Sequence, residues 1–282
     1  MSTTKTPKEI LEFSYDVSNT KAHLSVSKLI ILGILAGAFI AFAAEASNMA
    51  AFNLLADPTK FGLGRLVAGA MFSVGLMLVV LTGGELFTGN SLMITGVITK
   101  RISVKLLLRN WIIVYIANLV GSVLIAYLMH KSGLFGSGDG LLGAITIKIA
   151  VSKTNLPFIS AFVLGIMCNW LVCLAVWMSW ASSSVPGKLM AIFFPICLFV
   201  TSGFEHSIAN MYYIPAGMFA KTVPALMEKA MTIGVTEAAA ENLNMSGFFA
   251  TNLLPVTIGN VFGGVVFVAL AYLVSFREKK EK

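Results

Sequence analysis

Two short stretches of this chain gather residues able to hold or move charge: GGELFTGN at residues 83–90 and GFEHSIAN at residues 203–210. Both read Gly-x-Glu-x-x-x-x-Asn, and each interrupts a long apolar run. Between them they supply two carboxylates (Glu85, Glu205), two carboxamides (Asn90, Asn210), one hydroxyl (Thr88) and one imidazole (His206). A neutral imidazole donates a hydrogen bond and a charged one carries a proton, with a reference pKa of about 6.5. His206 is the only histidine inside an apolar run, since His23 lies in the amino-terminal arm and His130 at the edge of another run. If the two interruptions face each other, Thr88 and His206 become partners: the hydroxyl accepts from the imidazole and donates to a passing oxygen. That chemistry suits a small weak acid.

The carboxylates point to a different role. Of thirteen acidic residues only Glu45, Glu85 and Glu205 fall within apolar runs, where each costs about 3 kcal/mol at a membrane helix centre unless it is paired or faces a cavity. Glu85 and Glu205 sit at matching places, next to Gly83, Gly84 and Gly89 in one stretch and Gly203 in the other. A scaffolding role is favoured, in which they accept hydrogen bonds from backbone freed by a helix break. A carboxylate lining the path would repel an anion. Half-helices starting near Gly89 and Ile208 would aim their positive dipole ends at the centre, which favours a small negative cargo. Nearby, Phe72, Leu76, Leu86, Phe87, Phe199 and Phe204 offer bulk that either narrows a path or simply packs.

The elements that hold these residues must be membrane helices. Hydrophobic residues make up 57% of the chain and charged ones 12%, with a mean hydropathy of +0.86. Six apolar runs, each about 20 residues and long enough to cross a bilayer, begin near Ser27, Leu66, Leu106, Phe158, Leu189 and Phe248. A second echo, small-Asn-x-x-Gly, occurs at Ala117 and Gly259. The chain therefore reads as a duplicated unit: an arm at 1–25, a pore domain at 26–275 with halves at about 26–130 and 157–275, and a tail at 276–282. Interrupted apolar segments at matching positions of two halves point to a substrate site near the membrane midplane.

Orientation follows from Lys and Arg. One face holds Lys5, Lys8, Lys21 and Lys28 of the arm, Lys100, Arg101, Lys105 and Arg109 after the second span, then Lys188, and Arg277, Lys279, Lys280 and Lys282 of the tail; the other seven of the twenty lie opposite. Both termini are thus expected in the cytoplasm. Topology accounts for the net charge of +7 without invoking nucleic acid. The arm carries charges and no apolar centre, so it is not read as a cleavable signal. Its Ile10, Phe13 and Val17 recur at helical spacing, which predicts an amphipathic helix at 7–20 that either gates the cytoplasmic mouth or lies on the surface. Cys168, Cys173 and Cys197 fall inside spans with no metal-ligand spacing and read as packing residues, so no metal or cofactor is expected. An intramembrane hydrolase would need a nucleophile beside a base and an oxyanion site. Ser202 and Ser207 stand in no such motif, and no enzyme activity is assigned.

GELFTGN, the run NWLVCLAVWMS from Asn169, TSGFEHSIANM from Thr201 and NLLPVTIGN from Asn252 together resemble the formate-nitrite transporter family over almost the whole chain. The resemblance implies an all-α membrane protein with six transmembrane helices in an aquaporin-like inverted repeat, its second and fifth helices broken. It implies a homopentamer with one pore per protomer, passing a small monovalent anion passively or with a proton across a prokaryotic inner membrane. Carried over by position, Thr88 and His206 form the pore centre, supported by Asn169 and Asn260. Leu76, Leu86 and Phe87 become the cytoplasmic constriction, Phe72 and Phe199 the outer one, and Lys153 a loop-edge lysine that draws in anions. Formate is the expected cargo, on the likeness of MYYIPAG from Met211 and of the Lys221–Ser246 connection to formate carriers. Nitrite and hydrosulfide are the alternatives, because the Gly89-Asn90 ending is found outside formate carriers. The steps Gly33-x-x-x-Gly37 and Gly259-x-x-x-Gly263 permit close helix approach, between protomers or within one.

Overall fold

A computed structural model describes residues 4–277; Lys279, Lys280 and Lys282, counted above, lie outside the described residues. Those residues are helical apart from loops and one isolated bridge between Thr4 and Ser182. In chain order the helices are α1 (Pro7–Ala22), α2 (Val26–Ala56), α3 (Phe61–Thr82), α4 (Gly89–Ile98), α5 (Val104–Ser132), α6 (Leu141–Thr154), α7 (Phe158–Ala181), α8 (Val185–Ser202), α9 (Ser207–Lys221), α10 (Pro224–Thr232), α11 (Glu237–Glu241) and α12 (Gly247–Phe276). Six of them, α2, α3, α5, α7, α8 and α12, are long and apolar enough to cross a membrane. Their exposed faces carry large apolar residues such as Ile31, Phe42, Ile112, Ile116, Phe194 and Ile258.

The second and fifth spans stop for the same reason. After Thr82 and after Ser202 the chain enters the left-handed region at Gly83 (φ 80°) and Gly203 (φ 85°), a conformation that costs a side-chain-bearing residue energy and commonly ends helices. Gly84 and Phe204 then turn their N–H groups back to the Val79 and Phe199 carbonyls. Gly89 breaks nothing; it opens α4 as a tight helical turn. A few extended residues carry the chain to α4 and α9, so each broken span continues as a second helix.

Helix α1 begins at a capping box. Thr6 accepts the Glu9 N–H while the Glu9 carboxylate accepts the Thr6 N–H, and Pro7 takes the first turn, where its missing donor is no loss. The Thr6 backbone bond, then its hydroxyl bond, hold the Glu9 carboxyl below its ordinary pKa; this cap weakens as pH falls through the carboxylate range. The buried face is Ile10, Leu11, Ser14, Tyr15 and Ser18; of the expected Ile10, Phe13 and Val17 only Ile10 belongs to it, and Phe13 and Val17 are half-buried. Ser14 and Ser18 reach the buried Thr95 hydroxyl at 3.1 and 3.2 Å, while Ile10, Leu11 and Tyr15 pack with Trp177 and Leu273. That rotates Phe13 and Val17 toward a cavity. The arm helix is docked on the bundle, pinned further by Arg101 to Asp16 at 2.7 Å and by the Lys5 N–H on the Ala181 carbonyl.

Two helix crossings are held at backbone contact by glycine. A Cβ at Gly37 or Gly121 would overlap the Asn118 or Ile34 carbonyl where α2 crosses α5, and one at Gly259 or Gly263 would overlap the Phe162 or Ile166 carbonyl where α12 crosses α7. The small-residue steps therefore serve packing within one protomer. Gly259→Ala is expected to destabilise by about 2 kcal/mol through overpacking, whereas Gly62→Ala, with open space around it, should not. Unfolding midpoints of the two variants in detergent, compared with the parent, check this.

Candidate functional site

A helix that stops at membrane depth leaves N–H and C=O groups that no water reaches. Two asparagines meet that need here. Asn118 of α5 donates to the Gly33 carbonyl (2.7 Å) and the Glu85 carbonyl (2.9 Å) and accepts the Phe87 N–H (3.0 Å). Asn260 of α12 donates to the Gly165 carbonyl (2.8 Å) and the Glu205 carbonyl (2.9 Å) and accepts the Ser207 N–H (2.9 Å). Each carboxamide ties one loop to the long helix beside it, using both donors and its acceptor. The Glu85 and Glu205 N–H groups add one bond each, to Leu32 and Leu164.

The Glu-to-Asn spacing of the motifs now has a physical cause. Asn90 donates to the Glu85 carboxylate at 2.8 Å and Asn210 to that of Glu205 at 2.6 Å. Asn110 and Asn252 accept from these same amides, at 2.8 and 2.7 Å. A lysine closes each cluster: Lys21 of α1 lies 2.5 Å from Glu85, and Lys153 of α6 lies 2.7 Å from Glu205. All four motif residues are at least 95% buried. Lys153 is thus no loop-edge lysine. It lies in the last turn of helix α6 with its side chain 14% exposed, and its ammonium also sits 5.3 Å from the Tyr213 ring. It is drawn into the second half's scaffold from before residue 157.

Between the two scaffolds lies the centre. The Thr88 hydroxyl and His206 Nε2 are 2.9 Å apart. His206 caps α9, its Nδ1 accepting the Ala209 N–H at 3.1 Å. Since Nδ1 accepts, the ring proton of the neutral form is on Nε2; it is donated to Thr88, whose own O–H is left to donate elsewhere. Asn169 of α7 secures this loop by donating to the Thr88 and Asn260 carbonyls at 3.2 and 2.6 Å.

Two cavities approach the centre from opposite sides. The arm-side cavity, about 510 Å³, is bordered by Phe13, Lys21, Leu76, Glu85, Leu86 and Trp180. The far-side cavity, about 80 Å³, is bordered by Asn48, Arg65, Phe72, Lys153, Phe199 and His206. Phe72 and Phe199 meet edge-on at 5.6 Å. Phe87 borders neither cavity: its ring packs edge-on against Tyr115 (4.8 Å) and Trp111 (5.9 Å), so it contributes packing where a constriction residue was expected. Glu45, the third acidic residue in a span, accepts the Tyr212 hydroxyl. No cluster suited to a metal occurs among the described residues.

Residues that sequence reasoning overlooked include Lys21, which looked like a topogenic charge, and Asn110. Asn118 carried a readable signal, since the echo at Ala117 and Gly259 places it opposite Asn260. Asn118→Leu should cost about 3 kcal/mol, because it strands the Phe87 N–H and the Glu85 carbonyl at membrane depth. Thermal unfolding in detergent measures it, and a loss below about 1 kcal/mol would mean that the loop finds other partners.

Two broken helices meeting at a polar centre, with a cavity on either side, define a membrane protein that conducts a small solute. The sequence model of the formate/nitrite transporter matches residues 8–274. Among curated relatives, a probable formate transporter of Methanothermobacter thermautotrophicus is 39% identical over 282 aligned residues, 95% of this chain and 96% of that protein. The formate channel FocA of Escherichia coli strain K12 is 39% identical over 254 residues, 90% of this chain and 88% of its own. A solved structure titled as a pentameric formate channel with formate bound superposes with a TM-score of 0.79 at 38% identity, covering 90% of this chain and 98% of that one. This chain belongs to the formate/nitrite transporter family.

Proposed function

We propose that the protein passes a small monovalent weak-acid anion, formate first, through one pore per protomer of a homopentamer, and that it has no catalytic role. The names of its relatives support formate, and the pentameric neighbour supports the assembly; nitrite and hydrosulfide are the competing cargoes. The observation that carries the reading is the Thr88–His206 bond, which joins the two helix breaks where the two cavities approach each other. By the excess of Lys and Arg on its arm, the arm side is cytoplasmic, both termini with it, in a prokaryotic inner membrane.

The path works by exchanging water for fixed donors. Dehydrating a full charge in an apolar neck is expensive, and Leu76 and Leu86 on one side and Phe72 and Phe199 on the other supply that neck. At the centre the Thr88 O–H, freed by the Nε2 donation it accepts, donates to the anion. When a proton enters the ring at Nδ1 and displaces the Ala209 bond, the Nε2 proton passes to Thr88, and the Thr88 proton passes to the cargo, which leaves as the neutral acid. Downhill leak and proton-driven uptake then share one pore. Asn169 and Asn260 hold the loops that present this pair, while Lys153 and Lys21 neutralise Glu205 and Glu85 near the two vestibules, so that neither carboxylate repels the anion.

Asparagine is a good helix cap, so His206→Asn keeps the α9 cap and a donor but loses the titrating ring. In vesicles it should still pass formate down its gradient and lose accumulation driven by an inward proton gradient. Thr88→Val should weaken both modes by about tenfold, the loss of a hydrogen bond to a charged group. Undiminished gradient-driven accumulation by His206→Asn would place protonation outside the pair.

A further inference from the structure

The far-side cavity contains two donors with no role in the path described so far. Arg65, on α3, borders it. Its Nε donates to the Thr201 carbonyl at 3.3 Å and its Nη2 to the Val200 carbonyl, so the guanidinium caps the end of α8 beside Gly203. Among the described residues it makes no ion pair with a carboxylate. A guanidinium has five N–H groups in a fixed fork, and two bonds leave the rest for a ligand. Lys153 in the same cavity is already matched to Glu205. The unpaired positive charge of this cavity is therefore on Arg65.

Asn48, on α2, is the second donor. It is 1% exposed, borders the same cavity, and its Nδ2 has no acceptor. Buried amide N–H groups in folded proteins are nearly always satisfied, and one left bare is costly. A bare amide and an unpaired guanidinium on one small cavity form a complementary surface for an anion with two acceptor oxygens.

We propose that Arg65 and Asn48 form a capture subsite for a small carboxylate in the far-side cavity, which His206 borders, and that it is filled before the cargo engages Thr88 when cargo arrives from the far side. The guanidinium takes one carboxylate oxygen, the Asn48 amide takes the other, and Phe72 and Phe199 line the cavity beside His206. At about 80 Å³ the cavity admits an anion of a few heavy atoms. The subsite rests on the transport reading and refines it: affinity for cargo from the far side is set here, and the protonation step is set at the centre.

Concentration dependence of formate flux into vesicles tests it. Among the described residues the Asn48 carboxamide bonds no other group, so Asn48→Leu removes the free donor without breaking a bond. Its half-saturating concentration should rise about tenfold, the loss of one hydrogen bond to a charged oxygen, by more than its maximal flux falls. Asn48→Asp, which puts a carboxylate in the cavity, should raise it further. Arg65→Gln should match Asn48→Leu or exceed it, with Arg65→Lys between Arg65→Gln and the parent. Should both Asn48 variants keep the parent's half-saturation, or lose only maximal flux, the subsite is overturned and Asn48 serves water alone. A parent protein that moves neither formate, nitrite nor hydrosulfide overturns the transport reading itself.

Discussion

Hydrocarbon does not hydrogen-bond, so a helix can stop inside a bilayer only if protein replaces water at its exposed ends. Every feature of the pore described above depends on this requirement being met twice. Asn118 and Asn260 each answer three backbone groups, and the acidic side chains anchor the asparagines that restart the helix. The carboxylates would be intolerable there alone, and Lys21 and Lys153 make them tolerable. Only with the loops so fixed do the Thr88 hydroxyl and the His206 ring come to rest at hydrogen-bond distance.

The two scaffolds match almost bond for bond, yet what they present to the path does not. Where the second loop places His206, the position 120 residues earlier is Leu86, and where the first places Thr88 the second has Ile208. The same holds on the flanking helices. Gly37 lets α2 lie against α5, while its counterpart 132 residues later is Asn169, which donates to the Thr88 carbonyl. A duplicated frame under one physical constraint thus supports an asymmetric lining, with the clamping asparagines and the Glu–Asn pairs kept in both halves while the residues between them differ.

Much of this was legible in the sequence because it is local. The repeated Gly-x-Glu spacing marked both breaks, the isolation of His206 in an apolar run singled it out, and the echo at Ala117 and Gly259 marked the duplication, while of the two clamping asparagines only Asn260 was named, by the family resemblance. What escaped notice depends on which way a side chain faces once helices pack. Phe87 follows Leu86, which borders the arm-side cavity, but turns to Trp111 and Tyr115. Lys21 and Arg65 look like topogenic charges until α1 and α3 are seated, and Lys153 looks like a loop residue until α6 is seen to run through it. The buried face of α1 was misjudged because two serines, polar by composition, are sealed against Thr95.

The unequal cavities have an electrical consequence. A volume of about 510 Å³ on the arm side has room for a body of water, against room for only a few molecules in the 80 Å³ opposite. Water on the arm side carries the potential of its own compartment inward, so the transmembrane voltage falls mainly between the centre and the far side. At about 2.3 kcal/mol per elementary charge for each 100 mV, an anion reaching the centre from the arm side has done little electrical work, and one leaving through the far side does nearly all of it. The two sides of the centre are unequal in electrical distance.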